Sequence, residues 1–289
     1  MKSKGLMLSM IFEAESANYG EGIGNVASLK KMARGNGEQY TYISRQAIRY
    51  NIIEQLGEPL TPTRIDKSVV QFAPDATISE YPEIDFFGYM KTQKGEGSTT
   101  RSAVVRLSNA VSLETFKGDL DFLTNKGLSD RMGNEMKGMN IAQSEIHRSY
   151  YRYTIVIDLD KVGIDDNNQI ALDKKEKARR VNKLLDTVSL LYRDIRGRRE
   201  DLKPLFAIGG VYNVKNPVFQ NVLEVNDNMV VVEAIRGVLF DQIKEDTVCG
   251  LINGKFGNDD EIKERLNAIL MPELFSKLKT KVSEYYESN

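Results

Sequence analysis

Apolar side chains occupy every second position near the start of the chain, at Leu6, Leu8, Met10, Phe12 and Ala14. A period of two residues is that of a β-strand, and one face of this strand would be wholly apolar. We therefore predict a strand that lies in the core of the fold.

Two segments carry the longer period of an α-helix. Residues 43–56 (ISRQAIRYNIIEQL) predict a helix that Gly57 stops. Asp173 and Glu176 resemble a capping box, and the apolar positions that follow recur at every third or fourth residue. The second pattern predicts a helix that continues to Gly197.

Further strands are predicted in four segments rich in apolar or β-branched residues: 84–91, 101–108, 150–160 and 205–212. The predicted order is strand, helix, strands within an insertion, strand, long helix, strand. This βαββαβ order predicts an α+β fold with a ferredoxin-like or RRM-like palm, its helices on one face of the sheet. Prolines and glycines divide residues 58–149 into short pieces, which we interpret as a large, irregular functional insertion.

Composition excludes several classes of protein. The 289 residues are 41% hydrophobic and carry a formal net charge of −1, so charge alone does not indicate nucleic-acid binding. A single cysteine, Cys249, excludes a disulfide scaffold and a cysteine-based metal site. No segment approaches the ~20 apolar residues of a membrane span, so we expect a cytoplasmic protein without a membrane partner.

Positive charge is concentrated locally. Residues 30–50 sum to +4 and residues 174–203 to +6. In the second segment, Arg193, Arg196, Arg198 and Arg199 surround Gly197. If the helix ends there, these arginines either complement its dipole or bind phosphate.

Arg45, Gln46 and Arg49 lie within about 100° of one another on an ideal helix. Two guanidinium groups and an amide on one patch suit phosphodiester contacts. Surface pairing with Glu38 or Glu54 is an equal alternative.

Gly22 and Gly24, with Ala27, match the dinucleotide-binding pattern G-x-G-x-x-A. The match is weak because no helix opens directly after the loop. A loop whose backbone approaches a phosphate or ribose closely is the better interpretation. His147, the only histidine, is either a general base or a structural side chain, and no set of carboxylates supports catalysis. We therefore expect no catalytic residues, no metal and no cofactor.

Longer stretches resemble a known family. They are SANYGEGIGN (16–25), DFFGYM (85–90), VRLSNAVSLE (105–114), FLTNKGLSDR (122–131), NIAQSEIHRSYYRYTIVIDLD (140–160), LYRDIRGRRE (191–200) and IGGVYNVKNP (208–217). They are similar to the DevR/Cst family of CRISPR-associated proteins, the guide-RNA-binding backbone subunits of type I-B Cascade complexes.

The resemblance implies a non-catalytic subunit that binds guide RNA (crRNA) and assembles head-to-tail with copies of itself into a helical filament. Other Cascade subunits would be partners, and target DNA would be bound by pairing with the guide. It also implies a palm (1–57 and 150–289), a fingers insertion (58–149) and a thumb hairpin near 207–228. The alternative is an RNA-cleaving backbone subunit of the type III kind, against which the absence of aspartate from residues 15–42 argues.

The resemblance also implies RNA-binding residues in four places. They are Asn18, Tyr19, Gly20, Gly22 and Gly24 in the first loop; Arg45, Gln46 and Arg49 on the first helix; Met139, His147 and Arg148 before the later palm strand; and Phe219 as a wedge at the thumb tip.

Overall fold

The computed structural model of the protein describes residues 4–20, 22, 24–66, 68–93, 97–131 and 141–289. Met139 lies outside the described residues.

The strands in these ranges are β1 (Gly5–Ala14), β2 (Val26–Ala27), β3 (Lys31–Ala33), β4 (Gln39–Ile43), β5 (Thr63–Asp66), β6 (Val69–Phe72), β7 (Tyr89–Gln93), β8 (Gly97–Arg101), β9 (Val105–Leu107), β10 (Ala110–Ser112), β11 (Asp119–Thr124), β12 (Ile141–Ile146), β13 (Ser149–Asp158), β14 (Ile164–Asp165), β15 (Ile170–Ala171), β16 (Tyr192–Ile195), β17 (Arg198–Asp201), β18 (Phe206–Tyr212), β19 (Val225–Asn226), β20 (Met229–Val230), β21 (Thr247–Leu251) and β22 (Ile269–Leu270). The helices are α1 (Arg45–Gln55), α2 (Pro82–Phe87), α3 (Lys126–Arg131), α4 (Lys174–Ser189), α5 (Val232–Arg236), α6 (Asp241–Lys244), α7 (Asp259–Leu266) and α8 (Met271–Ser288). None of these helices is long and apolar enough to cross a membrane.

The main sheet confirms the predicted βαββαβ palm. Strand β1 lies between β13 and β18 and is antiparallel to both, and β9 pairs with the far edge of β13. The order β18–β1–β13–β9, with α1 and α4 as connections, is that of a ferredoxin-like fold. The segment predicted as a strand over 84–91 is instead split between helix α2 and strand β7.

Strand β1 is buried on both faces. Its even-numbered side chains, such as Leu8, join the core beneath α1, α4 and α8. Its odd-numbered side chains Met7 and Ile11 join a second core formed with residues of the C-terminal half. Full burial of each such side chain contributes roughly 1.5–3 kcal/mol, so this strand is the centre of the fold.

Helix α4 begins as predicted but ends earlier. The Asp173 side chain accepts a hydrogen bond from the Glu176 amide at 2.8 Å, as expected of an N-cap residue. The helix stops at Ser189 because the Gln55 side chain bonds both backbone groups of Tyr192, at 2.6 and 3.2 Å. Residues 192–201 then form the hairpin β16–β17.

The predicted thumb over 207–228 is wrong. Strand β18 (Phe206–Tyr212) is an interior strand of the main sheet, and every one of its residues is buried. Phe219 is fully buried in the second core with Ile208 and Tyr212, so it is not an exposed wedge. A large aromatic side chain next to an apolar strand is more stable inside than at a hairpin tip.

The range 58–149 is not wholly an insertion, because β9 and β10 belong to the main sheet. Its other parts include the hairpins β5–β6 and β7–β8, which pack with α2 around a small core of Ala76, Ile78, Ile84 and Tyr89. Strands β11 and β12 pair with each other, and β12 also pairs with β2.

Candidate nucleic-acid interface

The N-terminus of α1 is held by three polar side chains. Asn18 Oδ1 accepts a hydrogen bond from the Ser44 amide at 2.6 Å, and Asn109 Oδ1 accepts one from the Arg45 amide at 2.9 Å. Ser44 Oγ accepts one from the Ala47 amide at 3.3 Å. These amides are therefore already satisfied, and the Asn18 carbonyl oxygen positions the helix.

The Arg45 and Gln46 side chains, unlike the amides of this first turn, are not bonded to any described residue. Arg45 and Gln46 are exposed, and within the described part of the chain neither side chain has a hydrogen-bond or ion-pair partner. Together with Arg49 they line a groove of about 410 Å³. Phe87 and Arg106 line the same groove. The structure thus brings the three predicted α1 residues together on one surface, which we call the helix groove.

Arg49, unlike Arg45 and Gln46, contacts other side chains of the described structure. Its guanidinium lies 3.5 Å from the Glu83 carboxylate and 4.8 Å from the centre of the Phe87 ring. Burial lowers the pKa of Arg49 below its ordinary value, and the Glu83 charge opposes that effect. The alternative partners proposed from sequence, Glu38 and Glu54, make no contact with it among the described residues.

The loop after β1 follows the surface next to α1. The Tyr19 hydroxyl donates to the Glu145 carbonyl at 3.2 Å, and the Arg196 guanidinium lies 4.1 Å from the centre of the Tyr19 ring. Gly20 donates its amide to the Ser28 carbonyl at 2.7 Å.

At two further positions in this loop, the backbone conformation or a close backbone contact favours glycine. Gly24 has a φ of 60°, a left-handed conformation that favours glycine. A Cβ on Gly22 would lie 3.0 Å from the Val26 carbonyl oxygen. Both glycines are exposed.

His147 lies in the interior and not on the surface that the resemblance implied. Its side chain is 8% exposed, and Nδ1 is 2.8 Å from the Thr41 hydroxyl. The Phe116 ring contacts it edge-on at 5.6 Å between centroids. Burial lowers the pKa of His147, which keeps the imidazole neutral at pH 7. The structural alternative for this residue is therefore the correct one.

Arg148 is exposed, and its Nε lies 2.5 Å from a Glu13 carboxylate oxygen. The hydrogen bond to that carboxylate raises the pKa of Arg148 above its ordinary value. The guanidinium therefore stays charged at neutral pH.

A second groove, of about 610 Å³, lies where β1 ends, and most of its residues were not predicted. We call it the hairpin groove, because β17 supplies much of its lining. Its charged side chains are Glu13, Glu15, Arg148, Arg198, Arg199, Glu200, Asp201, Lys203 and Lys255.

The arginines around Gly197 belong to this region, and they do not complement a helix end. Arg196 and Gly197 have φ values of 48° and 75° and form the turn of the β16–β17 hairpin. The sequence pointed to this groove through the local charge of residues 174–203 and through Arg148, which the resemblance implied as an RNA-binding residue. Lys255 and Glu13 come from distant segments, so only the fold joins them to it. Within the described ranges, no group of three or more His, Cys, Asp or Glu side chains could hold a metal ion.

The sequence of this chain matches a known protein family. A family model described as "CRISPR-associated negative auto-regulator DevR/Csa2" matches residues 6–233. No curated protein sequence matches the chain.

Solved structures share the fold at low sequence identity. A chain of a "CRISPR RNA-guided surveillance complex, pre-nicking" superposes with a TM-score of 0.65 at 12% identity, over 96% of this chain and 100% of that one. A chain of a "CRISPR RNA-guided surveillance complex" does so with a TM-score of 0.55 at 16% identity, over 94% and 99%. Because the family model spans most of the sequence, the chain belongs to the DevR/Csa2 family of CRISPR-associated proteins.

Proposed function

We propose that this protein is a non-catalytic backbone subunit of a type I CRISPR surveillance complex and binds the guide RNA through its phosphates. The observation that carries the proposal is the helix groove, where Arg45 and Gln46 are exposed and have no side-chain partner among the described residues, beside helix amides that are already bonded. The surveillance complexes that share its fold are described as RNA-guided, and the family is CRISPR-associated, which supports the same role.

The arrangement suits a single strand bound without sequence preference. Guanidinium groups bind phosphate oxygens through paired, charge-assisted hydrogen bonds. The Phe87 ring beside Arg49 adds an apolar surface within the same groove. Phosphate contacts position a strand but do not read its bases, so guides of any sequence can be accepted and can pair with target DNA.

The direct test is the binding of a short labelled single-stranded RNA to the full chain at several salt concentrations. The logarithm of the affinity should fall with the logarithm of the salt concentration, with a slope of about −0.7 per neutralised phosphate. Arg45→Ala with Arg49→Ala should weaken binding, since each charge-assisted contact contributes about 1.5–3 kcal/mol.

The matched control is Arg236→Ala, because Arg236 is exposed on α5 and has no partner among the described residues. This control should bind RNA as the unmodified protein does. An unchanged affinity in the Arg45/Arg49 variant, a strong preference for one sequence or little salt dependence would contradict the proposal.

Assembly is the second part of the proposal. We propose that copies join head-to-tail along the guide in the cytoplasm, next to other subunits of the complex, through an open, heterologous interface. Light scattering with RNAs of increasing length tests this, since the mass should rise in steps. A dimer whose mass does not depend on RNA length would contradict it.

The non-catalytic part of the proposal has its own test. The assembled protein is incubated with RNA complementary to the guide and a divalent metal, and intact RNA is expected. Regularly spaced fragments would instead indicate an RNA-cleaving subunit of the type III kind.

A further inference from the structure

The hairpin groove contains a set of ion pairs that differ in how firmly they are held. Glu200 accepts hydrogen bonds from the Glu15 and Ser16 amides at 2.7 and 3.0 Å and from Arg193 at 2.7 Å. Arg193 is buried, so this carboxylate is part of the structure that fixes the hairpin to β1. It is not available to exchange partners.

Glu13 and Glu15 are held much less firmly. The Glu13 side chain contacts only Arg148, and the Glu15 side chain contacts only Arg198, among the residues that the structure describes. Both carboxylates are partly exposed, at 30% and 40%. Either can leave its arginine without breaking another described hydrogen bond.

Arg198 has a second partner that holds it in place without Glu15, and both arginines have donors that make no described hydrogen bond. Arg198 Nη2 donates to the Ser16 hydroxyl at 2.7 Å, which orients the guanidinium. Arg148 uses only its Nε on Glu13, so its two Nη groups remain free. Lys255 is exposed in the same groove, and no partner for its ammonium group lies among the described residues.

Two tyrosines beside this groove carry an arginine on the face of the ring. The Arg196 guanidinium lies over Tyr19, and the Arg199 guanidinium lies 4.4 Å from the centre of the Tyr192 ring. Bases of a single strand stack on aromatic rings and on guanidinium planes, whereas an acidic peptide has no base to stack. The two arginine–tyrosine pairs therefore favour a single-stranded nucleic acid as the occupant.

We propose that the hairpin groove is a second binding site for the phosphodiester backbone of single-stranded RNA, and that Glu13 and Glu15 are intramolecular competitors that the phosphates displace from Arg148 and Arg198. Five cations and four carboxylates line the groove, so it is nearly neutral when empty. Displacing the two movable carboxylates exposes the cations to the ligand. This inference rests on the proposed RNA binding and adds the residues that set its strength.

Under this proposal, removing the carboxylate of an ion pair and removing its arginine change the RNA affinity in opposite directions. If the pairs were only structural, removal of either partner would leave RNA binding unchanged or weaken it. If the carboxylates compete with phosphate, Glu13→Gln with Glu15→Gln should tighten binding. Two unit charges about 4 Å apart in water interact by roughly 1 kcal/mol, which corresponds to an affinity change of about fivefold per carboxylate. Arg148→Ala should weaken binding by a similar factor.

The experiment measures the fluorescence anisotropy of a short labelled oligouridine with the full chain at low and moderate salt. The glutamine variant should bind more tightly and show a steeper salt dependence, because more phosphates are neutralised. The matched control is Glu233→Gln with Asp186→Asn, which removes two carboxylates from other exposed ion pairs, with Arg265 and Lys279. It should bind as the unmodified protein does.

Four results would overturn the inference. Equal tightening in the control would indicate an effect of net charge alone. Weaker or unchanged binding by the glutamine variant, with a normal melting temperature, would show that the carboxylates do not compete. Displacement of the oligouridine by poly-glutamate at equal charge concentration would assign the groove to acidic peptides. No binding of oligouridine by the unmodified protein would overturn the proposed function as well, whereas the other three results leave it standing.

Discussion

Two clusters in this protein contain the same types of side chain, arginines and carboxylates, but one cluster is buried and the other is exposed. In the first, which we call the Asp85 cluster, Asp85 is fully buried and accepts hydrogen bonds from Arg101 at 2.8 Å, Arg180 at 3.1 Å and the Gly163 amide at 2.9 Å. In the hairpin groove, the Arg148 side chain is 75% exposed and its partner Glu13 is 30% exposed.

The difference in burial decides what each cluster can do. Removing one member of a buried pair leaves an uncompensated charge in a low-dielectric interior, so such a pair must stay closed. An exposed pair contributes only about 0–1 kcal/mol, so a ligand can open it with little loss of stability. The Asp85 cluster therefore joins α2 to α4, whereas the groove is free to exchange partners.

The largest effect is expected from the Asp85 cluster. Asp85→Ala should lower the free energy of unfolding by about 3–5 kcal/mol, because the buried Arg101 would lose its one carboxylate partner among the described residues and Arg180 would keep only Glu176. Urea denaturation followed by circular dichroism measures this. Glu13→Gln is the exposed counterpart and should change the same quantity by less than about 1 kcal/mol. Similar losses in the two variants would remove the distinction between the clusters.

The next comparison is within the helix groove, between Arg45, which has no ion-pair partner among the described residues, and Arg49, which pairs with Glu83. Arg45→Ala should weaken RNA binding by about 1.5–3 kcal/mol and leave stability unchanged, since its side chain contacts no described residue. Arg49→Ala should weaken binding less, because its charge is shared with Glu83, and should also lower the melting temperature by removing the contact with Phe87.

Binding titrations and thermal melts of the two single variants check this order. Equal effects of the two variants on both measurements would contradict it.

A smaller effect is expected from pH at Glu176. Hydrogen bonds from Arg179, and then from Arg180, lower the pKa of Glu176 from its ordinary value of 4.5 to about 2, although burial opposes them. A depressed pKa in the folded state means that the stabilisation is complete above pH 4.5 and is lost as the pH falls to about 2. After solvent screening we expect about 1 kcal/mol from this group.

Glu176→Gln should therefore show a shallower loss of stability over that acid range than the unmodified protein. Parallel stability curves for the two proteins between pH 4.5 and pH 2 would rule out this contribution.

The smallest effect is expected at a fully surface-exposed pair. Lys126 and Asp130 are four residues apart on α3, and the Lys126 ammonium nitrogen lies 2.8 Å from an Asp130 carboxylate oxygen. The two side chains are 68% and 55% exposed. Asp130→Asn should change the free energy of unfolding by at most about 0.5 kcal/mol, within the error of most denaturation curves. A change as large as that of Asp85→Ala would show that exposure does not set the strength of these pairs.

Much of the palm could be predicted from local patterns. The alternation in β1, the N-cap at Asp173 and the clustering of Arg45, Gln46 and Arg49 on one helix face depend on neighbours within a few residues. Such signals survive in the sequence because strand and helix geometry fix which nearby side chains share a face. The fold class and the helix groove followed from them.

Failures of prediction occurred where distant residues compete for the same segment. The α4 pattern continued to Gly197, but Gln55 bonds the backbone at Tyr192 and a hairpin forms instead. Phe219 looked like a hairpin wedge, but the sheet face formed by Ile208 and Tyr212 buries it.

The sequence by itself determined the βαββαβ order and the cationic face of α1, since both follow from local periodicity. Only the tertiary structure decided that His147 is a core side chain and that Glu13 pairs with Arg148 in the hairpin groove. Burial and ion pairing depend on which surfaces the chain brings together over long sequence separations. A pattern of residue types along the chain does not contain that information.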